Sequence, residues 1–472
     1  MSASEWSDWQ ALDRFTVSRN RLTDGRAAQR ARGRVPYVSP DDIRYTRHHR
    51  IQRRAASKRA RQDQRHLLGR VRRAMRSGNP NNIAVAVENV MRSYNAKLCA
   101  YADAWATMKV IDRPHIATLS DYAAQLDPYK LEFEEACLHF QLKQGRSADT
   151  RAPEDYRQIV NFGIHHRARQ QLVLSVLKVC FAELRDDQYQ QRGKGRDAAV
   201  AAAITQMRIS PNEFVAELDI EDFFPSIGER GGRLSPINEL HRQLFMLPRA
   251  VVESSVLSSG VIFASRTGGA TLSRTIPIRS GVPQGSALSS YLSDHIVGQI
   301  MSDAEMHASD GQAMIAYCDN IAVFGRSRMD VNSMTEPLVS AAARSPYGDF
   351  RLRRTQSTRH IRQGFQFLGY YLKWHPEGRT GFVEVDVADY NKERFQARIA
   401  ELMPQCRFSR SVTRAERTAA LHEVQRYIVD WVQTFIRADD IGELVCELLD
   451  EVLNEETMAT RLAFRPILDQ LN

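Results

Sequence analysis

Three side chains sit where a hairpin would place chemistry. Residues 313–325 read AMIAYCDNIAVFG, two short apolar runs around Cys318, Asp319 and Asn320. Apolar runs flanking two polar residues predict a β-hairpin with Asp319 at its tip and Asn320 beside it. One hundred residues earlier, FVAELDIEDFFPSI (214–227) alternates Phe214, Ala216 and Leu218 with Val215, Glu217 and Asp219. That alternation predicts a strand ending near Asp219, followed by Asp222, the pair Phe223–Phe224 and a turn at Pro225–Ser226. Alone, Asp219 reads as a strand-end Asp that caps the turn after it.

Two further stretches lie between and after these. IPIRSGVPQGSALSSYLSD (276–294) contains a tight loop, Gly281 to Gly285, with Ser286 expected to cap a following helix. Its glycines let a backbone approach a ligand closely, and the Gln284 amide can contact a sugar or base. FQFLGYYLKWHPEG (365–378) surrounds Gly369 with apolar and aromatic residues and turns at Pro376–Gly378.

In this order and spacing the four stretches resemble the palm of a reverse transcriptase, over about residues 155–375. LDIEDFFPSI is similar to the family's first aspartate motif and GVPQGSALSS to its Gln-Gly loop. AYCDN is similar to its Tyr-x-Asp-Asp hairpin with one change, and FLGYYL to its primer-grip hairpin. QYQQRGKGRDAAV (188–200) is similar to a fingers segment of the family. The resemblance implies an α+β fold: a right-hand polymerase with fingers and an antiparallel palm sheet, flanked by helical N-terminal and thumb-like C-terminal regions. It implies nucleotidyl transfer, an in-line displacement at phosphorus served by two Mg²⁺ ions about 4 Å apart, with Mn²⁺ as an alternative ion. Asp219, Asp319 and Asn320 are then the catalytic set, with Asp219, Ile220 and Asp319 as metal ligands. Asn320 stands where the family has a second carboxylate, so metal affinity is expected to be lower. Phe224 falls at the aromatic steric gate that favours deoxynucleotides; Phe223 faces the other way and packs. Asp222, Gln284 and Gly285 complete the substrate pocket, with Arg157, Arg167 and Arg169 as cations for the triphosphate. Arg353 or Arg354 stands in for the family's pyrophosphate-side lysine. Phe367, Leu368, Gly369 and Tyr370 form the primer grip. Cys318 has no assigned role.

The rest of the chain sets the frame. Residues 44–76 carry thirteen Lys or Arg against one acid, Asp63, in a protein of net charge +9. Their composition favours helix, broken at Ser77–Pro80. A basic helical arm touching phosphates is expected, with Arg53, Arg54, Lys58, Arg59 and Arg61 as contacts. Residues 82–145, including LEFEEACLHFQLKQ, read as helical, as does the chain from 390 onward; strands and helices alternate between. Three regions follow: an arm (1–85), fingers and palm (86–385) and a helical C-terminal domain (386–472). Six scattered cysteines without a CxxC pair argue against a zinc site or a disulfide framework and fit a reducing cytoplasm. His48–His49 and His165–His166 read as surface groups. MSASEWSDWQALDRF lacks a signal peptide's apolar core, and no run is apolar enough to span a membrane.

The remaining length holds no nuclease, integrase or maturase domain. Chains of this size resemble bacterial retron, abortive-infection and other defence-associated reverse transcriptases. The retron thumb's Val-Thr-Gly motif is absent between 386 and 472, which favours the non-retron group. The expected partners are a non-coding RNA template, a DNA product and dNTPs, with a homo-oligomer or a second defence protein left open. Template-independent synthesis, protein priming, and an inactive palm serving as a nucleic-acid scaffold are the competing readings.

Overall fold

The computed structural model describes residues 40–108, 112–130, 134–142, 156–181, 184–191, 193–209, 212–227, 247–252, 262–267, 270–272, 282–304, 313–377, 381–407, 412–454 and 456–468. The chain begins there with α1 (Pro40–Ser77), α2 (Pro80–Arg92), α3 (Tyr94–Thr107) and α4 (Leu119–Gln125), then β1 (Glu135–Leu142) and β2 (Tyr156–Asn161). Next come α5 (Ile164–Cys180), α6 (Arg196–Arg208), β3 (Phe214–Glu221), β4 (Ile262–Thr267), β5 (Ala270–Leu272) and α7 (Ser289–Asp303). The hairpin β6 (Ala313–Tyr317) and β7 (Asn320–Gly325) leads to α8 (Arg328–Ala343), β8 (Arg351–Arg354) and β9 (Arg359–His360). Strands β10 (Phe365–Phe367), β11 (Tyr370–His375) and β12 (Phe382–Val387) precede α9 (Asp389–Cys406), α10 (Arg414–Thr434), α11 (Ile441–Leu453) and α12 (Met458–Leu468).

α1 is amphipathic in a way its charge count hides. Ala60, Gln64, Leu67, Leu68, Val71, Ala74 and Met75 recur at helical spacing and form one inward stripe; Ala60, Gln64 and Val71 are buried. Lys58, Arg59, Arg65, His66, Arg70, Arg72, Arg73 and Arg76 occupy the opposite, more exposed face. The helix packs on α2, α3 and α5. At its end Gly78 adopts φ +65°. Asn79 then caps α2 by accepting from the amides of Asn81 and Asn82, with Pro80 in the first turn. Ile83, Ala86, Val87, Val90 and Met91 of α2 share a core with Val71 and the central sheet, so the expected 85/86 boundary falls inside a helix that belongs to that core.

The stretch 131–144, expected as helix, holds β1 instead. Its even positions Ala136, Leu138, Phe140 and Leu142 alternate with Glu135, Cys137, His139 and Gln141, a period of two that only pairing reveals. β1 runs antiparallel to β2, with Cys137 opposite Asn161, and parallel to β4. The sheet order is β2-β1-β4-β5. His165 and His166 are not surface groups either. Their backbone amides donate to the Glu134 carboxylate at the start of α5, and His166 is buried against Phe162.

The central sheet has the order β6-β7-β3-β8, with β9 also pairing β3, and all of its pairings are antiparallel. Its two faces go to two cores. Ala216, Leu218 and Ile220, with Ile321, Val323 and Leu352, pack on α5, α7 and α8. Val215, Ala322 and Phe324 join the β10-β11-β12 sheet, α6 and the C-terminal helices. An α+β fold results. No helix among the described residues is long and apolar enough to cross a membrane.

Asp294, on the buried side of α7, is 3% exposed, and burial pushes its carboxyl up to about 8. The folded chain then keeps this proton while the unfolded carboxyl, of ordinary value 3.8, loses it. Stability therefore falls as pH rises from about 4 to about 8. Tyr291, Tyr317 and Cys318, which sense the Asp294 charge, are all pushed upward and stay neutral across that window. Asp294→Asn should melt higher than the parent at pH 8 by differential scanning fluorimetry, with the gap shrinking toward pH 5. A constant gap would mean that the carboxyl is ionised throughout.

Candidate active site

The hairpin closes as its pattern requires. Tyr317 pairs with Asn320 across a two-residue turn, Cys318–Asp319. Cys318 takes φ +53°, the left-handed first position of a turn whose twist suits a hairpin. Its Sγ meets Gln190 Oε1, so the turn is braced from behind. Asp219 lies directly opposite Asn320 across β3–β7 and opposite Arg353 across β3–β8. Directly opposed residues share a face, and period two adds Glu217 and Glu221. One face thus gathers Glu217, Asp219, Glu221, Asn320 and Arg353, with Asp319 at the adjoining tip. Asn320 Nδ2 donates to Asp319 Oδ1 at 3.3 Å.

Glu217 and Glu221 add to the set named from the motifs, and each stands two residues from Asp219. Burial first, and then the Asp219 charge, hold the Glu217 carboxyl up at about 7 against a lowering hydrogen bond from Thr355 (2.7 Å). Glu221 pairs with Arg353 at 3.1 Å on the solvent side. Arg354 points elsewhere: its guanidinium donates to Thr335 Oγ1 (2.7 Å) and Thr358 Oγ1 (3.2 Å). Of the two arginines, Arg353 stands on the Asp219 row.

After β3 the chain turns at Asp222, whose φ of +45° is left-handed. The single helical turn Phe223–Ser226 follows. Phe223 is buried against Phe350, while Phe224 is only half-buried and meets Phe223 edge-on at 5.4 Å. The Phe224 carbonyl accepts from the Val282 amide (3.1 Å), and the Gln284 carbonyl accepts from the Val160 amide of β2 (2.8 Å). These bonds bring Phe224, the Gln284–Gly285 loop and β2 together. Gly285 is required: its φ is +98°, and a Cβ there would collide with the Val160 carbonyl oxygen. The helix after the loop starts at Ser289 with Leu288 at its cap position, two residues later than expected. Ser286 and its neighbours form a turn first, with Ser286 Oγ accepting from the Leu288 amide (3.2 Å).

The expected triphosphate cations divide. Arg169 is 1% exposed and its guanidinium donates to the carbonyls of Lys130 and Asp127. It pins a loop to α5 and is not available to face a nucleotide. Arg167 donates to the Phe162 carbonyl (2.9 Å) and Asn161 Oδ1 (2.7 Å). The Arg157 side chain lies outside the described residues; its backbone pairs with Gln141. On α1, Lys58 and Arg59 are exposed, whereas Arg61 is engaged with Asp103. The side chains of Arg53 and Arg54 lie outside the described residues. In the β10–β11 hairpin, Phe367 pairs with Tyr370 around Leu368 (φ +51°) and Gly369 (φ +87°). The Gly369 carbonyl accepts from the Ala388 amide and Asn391 Nδ2, each at 3.0 Å, fixing the hairpin to α9.

No group of three or more His, Cys, Asp or Glu among the described residues could by itself hold a metal. Mg²⁺ at phosphoryl-transfer sites uses one or two carboxylates, with substrate phosphates and water completing its octahedron. Asp219 and Asp319 with the Ile220 carbonyl fit that donor set, which a caged structural ion would not.

Carboxylates on one sheet row and at a hairpin tip form a donor set suited to divalent cations. Residues 141–372 match the family model described as reverse transcriptase (RNA-dependent DNA polymerase). The chain carries a reverse transcriptase domain and is an RNA-directed DNA polymerase. No curated protein matches it significantly. The matched span contains β3, the Gln284–Gly285 loop, the β6–β7 hairpin and Gly369; α1–α4 and α9–α12 lie outside it.

Asn320→Asp would add a carboxylate opposite Asp219. The Mg²⁺ concentration for half-maximal dNTP incorporation should fall. Superimposable Mg²⁺ titrations of the two proteins would mean that residue 320 does not sense the ion.

Proposed function

We propose that this protein extends a 3′-hydroxyl with dNTPs by two-metal catalysis, copying a non-coding RNA in bacterial antiphage defence in the cytoplasm. The observation that carries the catalytic part is the register of Asp219 against Asn320, which brings a strand carboxylate beside the hairpin-tip Asp319. In this reading β3 and β6–β8 are the palm, β1, β2 and β4–β5 belong to the fingers, and α9–α12 are the thumb.

Asp219, Asp319 and the Ile220 carbonyl would hold the two Mg²⁺ ions. When bound, these lower the pKa of the attacking hydroxyl and offset charge on the leaving pyrophosphate. Asn320 supplies a neutral amide oxygen at the position opposite Asp219. Arg353 brings a guanidinium to the same row, balancing phosphate charge. Phe224 places a ring under the sugar and excludes a 2′-hydroxyl. Gly285 lets the loop backbone approach the nucleotide. Phe367 to Tyr370 grip the primer. The defence assignment rests on the missing Val-Thr-Gly motif between 386 and 472. Asn320, one formal charge short of a pair, favours the second reading, a weak palm used as a nucleic-acid scaffold.

Asp219→Ala and Asp319→Ala should each reduce labelled dNTP incorporation at least about a hundredfold while melting like the parent. Near-normal synthesis in either variant would end the two-metal assignment. If the parent itself incorporates nothing on any template, yet binds nucleic acid, the scaffold reading takes over.

The exposed face of α1 is the proposed phosphate-binding surface. Removing the helix would uncover Ala60 and Val71, so the test is charge removal at Lys58, Arg65, Arg72 and Arg76. Changing all four to Gln should weaken RNA binding and lower the log–log salt slope by roughly 0.7–0.9 for each phosphate no longer neutralised. An unchanged slope would make this face a bystander.

A further inference from the structure

Arg196 stands outside every role assigned above, yet it touches three parts of the fold at once. It opens α6 behind Gly195, whose φ is +120° and whose amide donates to the Tyr189 carbonyl at 2.6 Å. The segment before it is fastened to the edge of β6. The Tyr189 amide donates to the Ala316 carbonyl and the Ala316 amide to the Asp187 carbonyl, both at 2.8 Å. Gln188, 2% exposed, donates to the Asp294 carbonyl at 2.6 Å. Gln190 meets Cys318 in the catalytic turn. The chain leading to Arg196 is thus tied to the strand that leads into Asp319.

From that anchor the guanidinium reaches the C-terminal helices. It donates to the carbonyl of Thr434, the last residue of α10. A helix end of this kind has carbonyls without partners inside the helix and the negative end of its dipole, so a cation is favoured there. The same guanidinium lies over the rings of Tyr370 (5.1 Å to the centroid) and Phe435 (4.9 Å), which meet each other edge-on at 5.4 Å. The Tyr370 hydroxyl also donates to the Thr434 carbonyl, at 3.2 Å. A planar guanidinium can stack and hydrogen-bond together, which an ammonium cannot. Arg196 therefore joins the β6 edge, the β10–β11 hairpin and α10. The C-terminal helices pack on the sheet face that carries Asp219, since Val215, Ala322 and Phe324 share a core with Phe395, Val424 and Trp431. A strand whose 3′ end reaches Asp219 has those helices as one wall.

We propose that Arg196 is a positioning residue that locks this wall to the catalytic hairpin and so keeps bound primer–template in place between successive additions. The inference rests on the polymerase reading, and its test reads the lock and the synthesis separately. The lock is read by hydrogen exchange of the 430–436 amides in Arg196→Ala, Arg196→Lys and the parent, with no substrate present. Exchange should be at least about tenfold faster in Arg196→Ala, a factor that corresponds to losing about 1.4 kcal/mol. Arg196→Lys should fall between the two.

The consequence is read on oligo(dT) annealed to poly(rA), challenged with a heparin trap. Arg196→Ala should release the duplex about tenfold faster and make shorter products, while single-turnover addition of one dTMP changes far less. Should Arg196→Ala fold poorly, Phe435→Leu removes one stacking ring without touching charge and should shorten products in the same direction. Unchanged exchange overturns the lock. Unchanged product length, or a loss of single addition as large as the loss of length, overturns its proposed role. If the parent adds no nucleotide while exchange still responds to Arg196→Ala, the lock stands and the polymerase reading fails.

Discussion

The backbone ladder that sets β3 between β7 and β8 is the constraint on which the site depends. Side chains alternate faces with a period of two, so a slip of one residue would turn Asp219 into the core and Leu218 to the carboxylate row. The slip is blocked by the apolar half of the same alternation. Ala216, Leu218 and Ile220 fill the core against α7 and α8. Burial of three apolar side chains, each contributing about 1.5–3 kcal/mol for a large aliphatic group and less for alanine, far exceeds any gain from moving a carboxylate. The position of these carboxylates is therefore a by-product of packing on the other face. Both Asp319 at the turn and Arg353 on β8 inherit their places from that one register.

What can be read from the residues alone follows from the same logic. Local patterns of period two with turn residues at fixed places, as in 313–325 and 365–375, specify hairpins whose partners lie beside them in sequence. The stretch 131–144 defies its helical pattern because β1 pairs with β2 and with the distant β4. Its Leu, Glu, Ala and Gln content favours helix in isolation, and the ladder overrides that preference. Arg169 departs from expectation for a related reason: composition marks an arginine as a surface cation, and only the fold reveals the carbonyls of Asp127 and Lys130 that bury it. Glu217 and Glu221 are legible in principle, since their spacing from Asp219 already places them on its row.

α1 shows why charge count alone misleads about architecture. Thirteen cations in 44–76 suggest an arm apart from the fold. The helix has an inward stripe as well as a basic one, and Val71 reaches the same core as the central sheet. Arginine serves both needs, because its stem covers apolar surface while its head stays in water. The basic face is thus carried on a supported helix, with Lys58, Arg65 and Arg72 one heptad apart and so nearly in line.

Electrostatics on the carboxylate row follows a logic of its own. Glu217, Asp219, Glu221 and Asp319 crowd one end of a sheet, and like carboxylates at such spacing disfavour one another's ionisation. Three features of the protein itself relieve that repulsion. Arg353 pairs with Glu221. The Glu217 carboxyl, held up at about 7 and hydrogen-bonded to Thr355, carries only part of its charge near neutral pH. Asn320 places an amide where another carboxylate would face Asp219, and turns one N–H toward Asp319. A carboxylate at 320 would add a fourth negative neighbour to Asp219 on a row that already has three. On this reading the amide is not simply a missing ligand. It spares Asp219 a further like charge on a row already enriched in Glu217 and Glu221.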